Sequence, residues 1–220
     1  MIRPFGEAAL LVEVGDPERA QAVAAALASD RIAGIAELVP GLESVLIDLD
    51  PGADPALVAS TVQERLEYAT PHRVTGRRRT IPVVYGGDHG PDLEEVASLC
   101  GMAPAELAER HSALEQRVLF DGFAPGFAYL GTLPPELRVS RLATPRTRTP
   151  AGSVAVADAM SGIYPAELPG GWRVIGRTPV PLFDPRRDPP AYLVAGDIVR
   201  FEAISAADWD ARAIASEDWG

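Results

Sequence analysis

The chain has 220 residues, enough for one large domain or two of ordinary size, and its 47% hydrophobic and 23% charged content suits a globular core with a solvated surface. A formal net charge of −11 and a pI near 4.7 argue against non-specific binding to nucleic acid or anionic membrane, both of which need a basic face. All 20 basic residues are Arg. The missing Lys excludes a P-loop phosphate ligand, the strand Lys of a protein kinase, Schiff-base chemistry and the Ser-Lys route to amide hydrolysis.

The opening Met1-Ile-Arg-Pro-Phe-Gly-Glu meets Glu7 before any long apolar run, so no signal peptide is expected. No stretch reaches the length of a membrane span. A lone Cys100 excludes an internal disulfide and fits a reducing compartment, so a cytoplasmic location is expected.

Ala8 to Val14 alternates as a strand does, and Asp16-Pro17 then supplies an N-cap and a first-turn Pro for an Ala-rich helix to about Ser29. Two strands, Ile35 to Val39 and Ser44 to Leu49, flank the turn Pro40-Gly41. Asp54-Pro55 repeats the cap and opens a helix to about Tyr68 with Leu57, Val58, Val62 and Leu66 on one face. With a further strand at Arg79 to Tyr85, the order β-α-β-β-α-β predicts a ferredoxin-like (split βαβ) domain over residues 1–85.

Gly86 to Pro91 reads as the linking loop. Two short helices follow, Asp92 to Leu99 and Pro104 to Ser112. They resemble a helix-turn-helix, but Ala103, Pro104, Ala105 and Glu106 offer no donors to base edges where the second helix would read DNA. An ordinary helical hairpin is expected. Strands at Arg117–Phe120, Ser153–Ala157, Trp172–Gly176, Pro181–Phe183 and Ile198–Ala203, separated by turn signals, predict a β-barrel domain over residues 86–205. Residues 206–220 are expected to be an acidic, loosely helical tail. The fold class is therefore α+β.

His72, His89 and His111 are too scattered for a metal site, and no second Cys is present. Structural or exposed roles suit His72, and Cys100 fits packing. Gly152-Ser153 lacks a nucleophile elbow. His111 stands at a helix end just ahead of the barrel region, either as a bland packing residue or within reach of the loop cluster.

The densest run lies between Phe120 and Thr178, where Gly and Pro fix loop shapes and the residues carried are Arg, Phe, Tyr, Trp and Thr. Arg146 and Arg148 alternate with Thr between Pro145 and Pro150. In an extended segment both guanidiniums leave one side and could grip a carboxylate or phosphate; a charged strand edge reads the same way. The segment Gly122, Phe123, Pro125, Gly126, Phe127 and Tyr129, with Ser153, Tyr164 and Trp172, either walls a pocket for a planar or amide-bearing molecule or packs as core. Sequence alone does not separate these.

Several blocks together resemble one family: Ile81-Pro-Val-Val-Tyr-Gly-Gly-Asp-His-Gly-Pro-Asp-Leu, His111-Ser112, Gly122-Phe-Ala-Pro-Gly-Phe-Ala-Tyr-Leu, Thr144-Pro-Arg-Thr-Arg-Thr-Pro-Ala-Gly-Ser, Ile163-Tyr-Pro and Pro169-Gly-Gly-Trp-Arg-Val-Ile-Gly-Arg-Thr. In this order and spacing they are similar to the KipI and PxpB family of 5-oxoprolinase subunits, also labelled allophanate hydrolase subunit 1. His89 departs from the aromatic expected there. The resemblance implies a cyclophilin-like barrel for the second domain, without isomerase activity. It also implies a hydrolase complex that opens 5-oxo-L-proline to L-glutamate with ATP, active only with a homologous subunit 2 of the PxpC type and with a PxpA-type subunit as a further partner. ATP would sit at or with the partner, since this chain has no P-loop. Arg146, Arg148 and His111 would be the catalytic groups. The alternatives that the resemblance carries are a KipI-like inhibitor of a sensor histidine kinase and a carboxyltransferase-type subunit of a urea carboxylase/allophanate system. An amidase of the Ser-Ser-Lys type is excluded for this chain by its lack of Lys.

Overall fold

A computed structural model describes residues 1–68 and 76–215, which divide into two compact units between Thr75 and Gly76. His72 lies outside the described residues. The first unit runs β1 (Ile2–Pro4), β2 (Ala9–Glu13), α1 (Pro17–Ala28), β3 (Ile35–Pro40), β4 (Ser44–Leu49) and α2 (Pro55–Tyr68). Both helices begin where the caps predict. Asp16 Oδ1 accepts the Arg19 N–H at 2.8 Å, and Asp54 Oδ1 accepts the Ala56 N–H at 2.9 Å. The core joins Leu10, Val12, Val45 and Ile47 of the sheet to Ala20, Leu27, Val58 and Val62 of the helices. Leu57, expected on the apolar face of α2, is exposed.

The sheet order is β1-β2-β4-β3 with every neighbour antiparallel. The ferredoxin-like expectation needs correction, because the strand after α2 does not join this sheet. Its place beside β2 is taken by Ile2–Pro4, which pairs Ile2 with Val12 and Pro4 with Leu10. The strand at Arg79–Tyr85 belongs instead to the second unit, so the division falls after Thr75 and not after Tyr85. Burial explains the choice. Ile81 to Val84 are all buried, and a run covered on both faces needs a partner on each side, which a sheet edge does not provide.

The second unit contains β5 (Arg78–Tyr85), α3 (Leu93–Leu99), α4 (Pro104–Ala113), β6 (Glu115–Asp121), β7 (Ala128–Gly131), β8 (Arg146–Thr149), β9 (Ser153–Ala157), β10 (Met160–Ile163), β11 (Leu168–Gly170), β12 (Arg173–Arg177), β13 (Ile198–Ala203) and α5 (Trp209–Ala215). Seven strands close a barrel in the order β10-β7-β6-β13-β5-β12-β9, and β8 with β11 forms a separate ribbon. The closed barrel is the kind of structure expected from the strand-and-turn pattern. Helices α3 and α4 pack on each other and on β12 and β13 as an ordinary hairpin. The expected strand at Pro181–Phe183 reduces to one bridge, Phe183 with Ala191; Pro179 and Pro181 remove the donors a ladder needs. The expected loosely helical tail carries a helical turn, Ala206–Asp208, and then α5, whose Trp209 ring lies 4.8 Å from the His89 ring and 5.5 Å from the Arg177 guanidinium.

Strand β9 shows how the barrel serves two layers. Val154 and Val156 enter the interior core with Ile81, Val118, Leu130 and Phe201. Ala155 and Ala157 enter a second cluster with Phe127, Tyr164 and Trp172. Period-two alternation therefore separates a branched inner face from a small-residue outer face, and both are buried.

Candidate functional site

The outer cluster is an aromatic layer laid across β7, β10, β9 and β12. Tyr129 is paired with Gly162, Gly162 with Ala155 and Ala155 with Val174, so these four residues share one face of the wall. Gly162 is small for a specific reason. A Cβ there would stand 2.9 Å from Phe127 Cζ and 3.1 Å from Trp172 Cζ3. With Ala155 and Ala157 alongside, it leaves room for rings to lie against the barrel.

The rings interlock. Phe127 sits edge-on to Tyr164 at 5.2 Å and to Trp172 at 5.8 Å, and Tyr129 lies 4.9 Å from Phe127 and 5.7 Å from Trp172. Phe120 stacks on Tyr129 at 4.3 Å. Such edge-to-face geometry is favourable beyond area burial. Phe127, Tyr164 and Trp172 are buried, so they form the floor, while Phe123 stands 59% exposed above them, 5.4 Å from Phe127. Burial pushes the Tyr164 and Tyr129 phenols up, and the Arg141 charge opposes that in both.

The loop from β6 to β7 presents Phe123. Gly122 donates to the Phe127 carbonyl at 3.2 Å, Ala124 to Gly122 at 2.8 Å and Phe127 to Ala124 at 2.9 Å. Pro125 is exposed at its tip. Gly126 has φ +80°, and a Cβ there would lie 2.7 Å from Phe183 Cβ. Phe123 itself adopts φ +68°, a left-handed conformation uncommon for a bulky residue. Ser153 is buried at the start of β9, where its carbonyl accepts the Tyr164 N–H at 3.0 Å.

The structure thus brings together Gly122, Phe123, Pro125, Gly126, Phe127, Tyr129, Tyr164 and Trp172, with Ser153 beneath them. It places the three expected catalytic groups elsewhere. Arg146 NH2 donates to Asp92 Oδ1 at 2.5 Å and NH1 to the Trp172 carbonyl at 3.5 Å, while Asp92 Oδ2 accepts the Val174 N–H at 2.6 Å. Arg146 is therefore a strut behind Trp172. Arg148 is 79% exposed and faces Glu167 at 3.5 Å. The two guanidiniums have different partners and do not form one clamp.

His111 lies on the other side of the wall. Its Nε2 is 3.0 Å from Ser161 Oγ, its Nδ1 is 2.8 Å from Tyr85 Oη, and its ring stacks on Phe201 at 4.8 Å. Ser161 pairs with Leu130 and Val156, both interior residues, so consecutive Ser161 and Gly162 serve opposite faces. Full burial lowers the imidazole pKa to about 3 and raises that of the Tyr85 phenol. Among the described residues no group of His, Cys, Asp and Glu is placed to hold a metal ion.

Sequence reasoning missed Arg141, Phe120, Ala155, Ala157 and Gly162. The Arg141 guanidinium lies 5.8 Å from the Trp172 ring centroid, at the rim of the aromatic layer. The one usable signal was the Val-Ala-Val-Ala alternation of β9, which marks a wall buried on both sides. Nothing in the sequence distinguished Arg141 from its neighbours.

Residues 1–193 match the carboxyltransferase domain family, subdomain C and D. The chain is 38% identical to the B subunit of 5-oxoprolinase from Bacillus subtilis, covering 96% of this chain and 95% of that protein. It is 44% identical to the 5-oxoprolinase B subunit of Escherichia coli O157:H7, over 76% of this chain and 77% of that one. Among solved structures, TTHA0988 superposes with a TM-score of 0.79 at 32% identity; the match covers 94% of this chain but only 40% of TTHA0988. PH0987 from Pyrococcus horikoshii is 36% identical over 95% of this chain and its own full length, with a TM-score of 0.59. The urea amidolyase of K. lactis, at 18% identity and a TM-score of 0.78 over 15% of its length, shares the fold.

Proposed function

The chain belongs to the carboxyltransferase subdomain C and D family, within its group of 5-oxoprolinase B subunits, and from that premise we propose that it is the B-type component of an ATP-dependent 5-oxoprolinase. The full-length correspondence with the Bacillus subtilis protein carries this reading. In it, 5-oxo-L-proline is opened to L-glutamate by a complex of this chain with a subunit 2 homologue, with a PxpA-type subunit as a further member. The barrel is cyclophilin-like, and the chain works in the cytoplasm.

The residues support a shared site. A lactam amide resists hydrolysis, and phosphoryl transfer from ATP to its oxygen activates the carbon to water. The C–N bond then breaks with the nitrogen taking up a proton, and the acyl phosphate so formed is hydrolysed by a second water to carboxylate and phosphate. The chain has no Lys to cradle nucleotide phosphates, Arg146 is tied to buried Asp92, and Arg148 stands exposed beside Glu167, apart from Arg146's site. ATP is therefore assigned to the partner subunit or to a site completed by it. The contribution of this chain is the aromatic layer, which binds and orients an organic substrate while excluding water from the reacting amide.

The test is ATP-dependent glutamate release from 5-oxoproline, assayed with this chain alone and with its subunit 2 homologue. Turnover is expected with the partner and not without it. Full turnover by the single chain would remove the need for a partner. No turnover with any partner, together with inhibition of a sensor histidine kinase's autophosphorylation, would replace the enzyme by the regulator.

A further inference from the structure

The Arg141 guanidinium is the cation best placed to meet a ligand on the aromatic layer. Its loop is pinned on both sides: Arg173 Nε donates to the Ser140 carbonyl at 2.9 Å, and the Leu142 N–H donates to the Gly171 carbonyl at 2.7 Å. The side chain between these points lies over the Trp172 ring. Its ion pair with Asp158, at 3.6 Å, joins two side chains that are each more than half exposed. A pair of that kind contributes little and is readily exchanged for another carboxylate.

Neighbouring arginines are committed more firmly. Arg146 is held by buried Asp92, Arg173 by Glu95 at 2.8 Å and by Ser140, and Arg177 by the Ala151 carbonyl at 2.7 Å. The Arg141 charge acts on both the Tyr129 and the Tyr164 phenols of the layer. Phe123, Tyr129 and Trp172 belong to one ring cluster in which Phe123 is exposed and Trp172 is the buried floor; rings beside a cation suit a small planar ring that carries its charge at one end.

We infer that the aromatic layer of the barrel and Arg141 together form a binding site for a small lactam acid, with the rings receiving the planar amide ring and Arg141 receiving the carboxylate. Naming 5-oxoproline as the occupant rests on the 5-oxoprolinase reading. The site itself rests on the pinned Arg141 and on the aromatic layer built over Gly162, Ala155 and Ala157. Arg141 acts here as a binding and orienting residue. A charge-assisted contact to the carboxylate fixes which way the ring faces, and with it the position of the amide.

Calorimetric titration of the full chain with 5-oxo-L-proline, and with pyrrolidin-2-one as the same lactam lacking the carboxylate, tests the assignment. Wild-type protein is expected to prefer 5-oxoproline. Arg141→Ala should lose that preference by about tenfold or more, Arg141→Lys should recover part of it, and pyrrolidin-2-one should bind all three alike. In the reconstituted complex Arg141→Ala should raise KM for 5-oxoproline by a similar factor and leave KM for ATP unchanged. Failure of the wild-type chain to bind 5-oxoproline, or equal binding by Arg141→Ala, overturns the site. Binding without turnover in the complex overturns the enzymatic reading while the site stands.

Discussion

Arg146 and Asp92 meet at 2.5 Å behind the aromatic layer, and the same arginine reaches the carbonyl of Trp172. Asp92 is buried and also accepts the Val174 N–H, so it joins the start of α3 to the strand that follows Trp172. Removing the guanidinium leaves a buried carboxylate short of its counter-ion. Arg146→Ala should therefore cost about 1–3 kcal/mol, and Asp92→Asn in the same chain should recover part of the loss. Arg148→Ala, at an exposed pair, should shift stability by less than about 0.5 kcal/mol. Urea midpoints of the four proteins decide it; equal losses at positions 146 and 148 would contradict the strut.

Phe123 holds an exposed ring on backbone at φ +68°. Glycine adopts that conformation without the Cβ penalty, which is about 1 kcal/mol for an L-residue. Phe123→Gly is expected to hold or raise the thermal midpoint and to weaken ligand binding. A fall in both would show that the ring serves packing instead.

Gly162 gives the rings their seat. In Gly162→Ala the new methyl falls 2.9 Å from Phe127 and 3.1 Å from Trp172, so Phe127 must shift and Trp172 must give by a few tenths of an ångström. The expected cost is about 1–3 kcal/mol from overpacking, with a changed near-UV circular dichroism signal from the displaced rings. An unaltered near-UV spectrum would mean that the layer yields without rearrangement.

His111 is buried neutral, with its pKa lowered from 6.5 to about 3 by loss of hydration. Below pH 6.5 the unfolded chain takes up a proton that the folded chain refuses until about pH 3. Stability from this group therefore falls as pH drops through that window, by at most about 1.4 kcal/mol per pH unit. Asp121 acts in the opposite sense: desolvation, with the nearby Asp197 charge, raises its pKa to about 6, so its ionisation disfavours the fold as pH rises from 3.8 to 6. The two trends overlap, so the difference between wild type and His111→Gln isolates the histidine. That difference should narrow from pH 6.5 to pH 4, as wild type loses stability faster than the variant. Parallel profiles would mean that His111 is not held neutral.

Much of the local structure was legible because its causes are local. Asp16-Pro17 and Asp54-Pro55 cap and open helices whatever surrounds them, and β9 and β13 fall on the expected residues. The run of aromatic and glycine residues between Phe120 and Trp172 stood out in sequence, but whether those residues wall a pocket or pack as core was not legible, because both uses draw on the same residue types.

Sequence by itself determined the caps, the apolar strands and the exclusion of every Lys-dependent chemistry. Tertiary structure alone decided the destination of Arg78–Tyr85, because a strand buried on both faces is claimed by whichever sheet covers it twice. It also decided on which side of the barrel wall each polar group stands. Ser161 and Gly162 are adjacent in the chain, yet one binds His111 in the interior and the other carries Phe127 and Trp172 outside. The arginines were separated in the same way. The alternation with Thr pairs Arg146 with Arg148 in sequence, yet only the placement of Asp92, Glu167 and Asp158 sets that Arg146 is fixed by a buried carboxylate while Arg148 and Arg141 hold exposed partners that they can exchange, since a charge is free or committed only through neighbours that the fold brings to it.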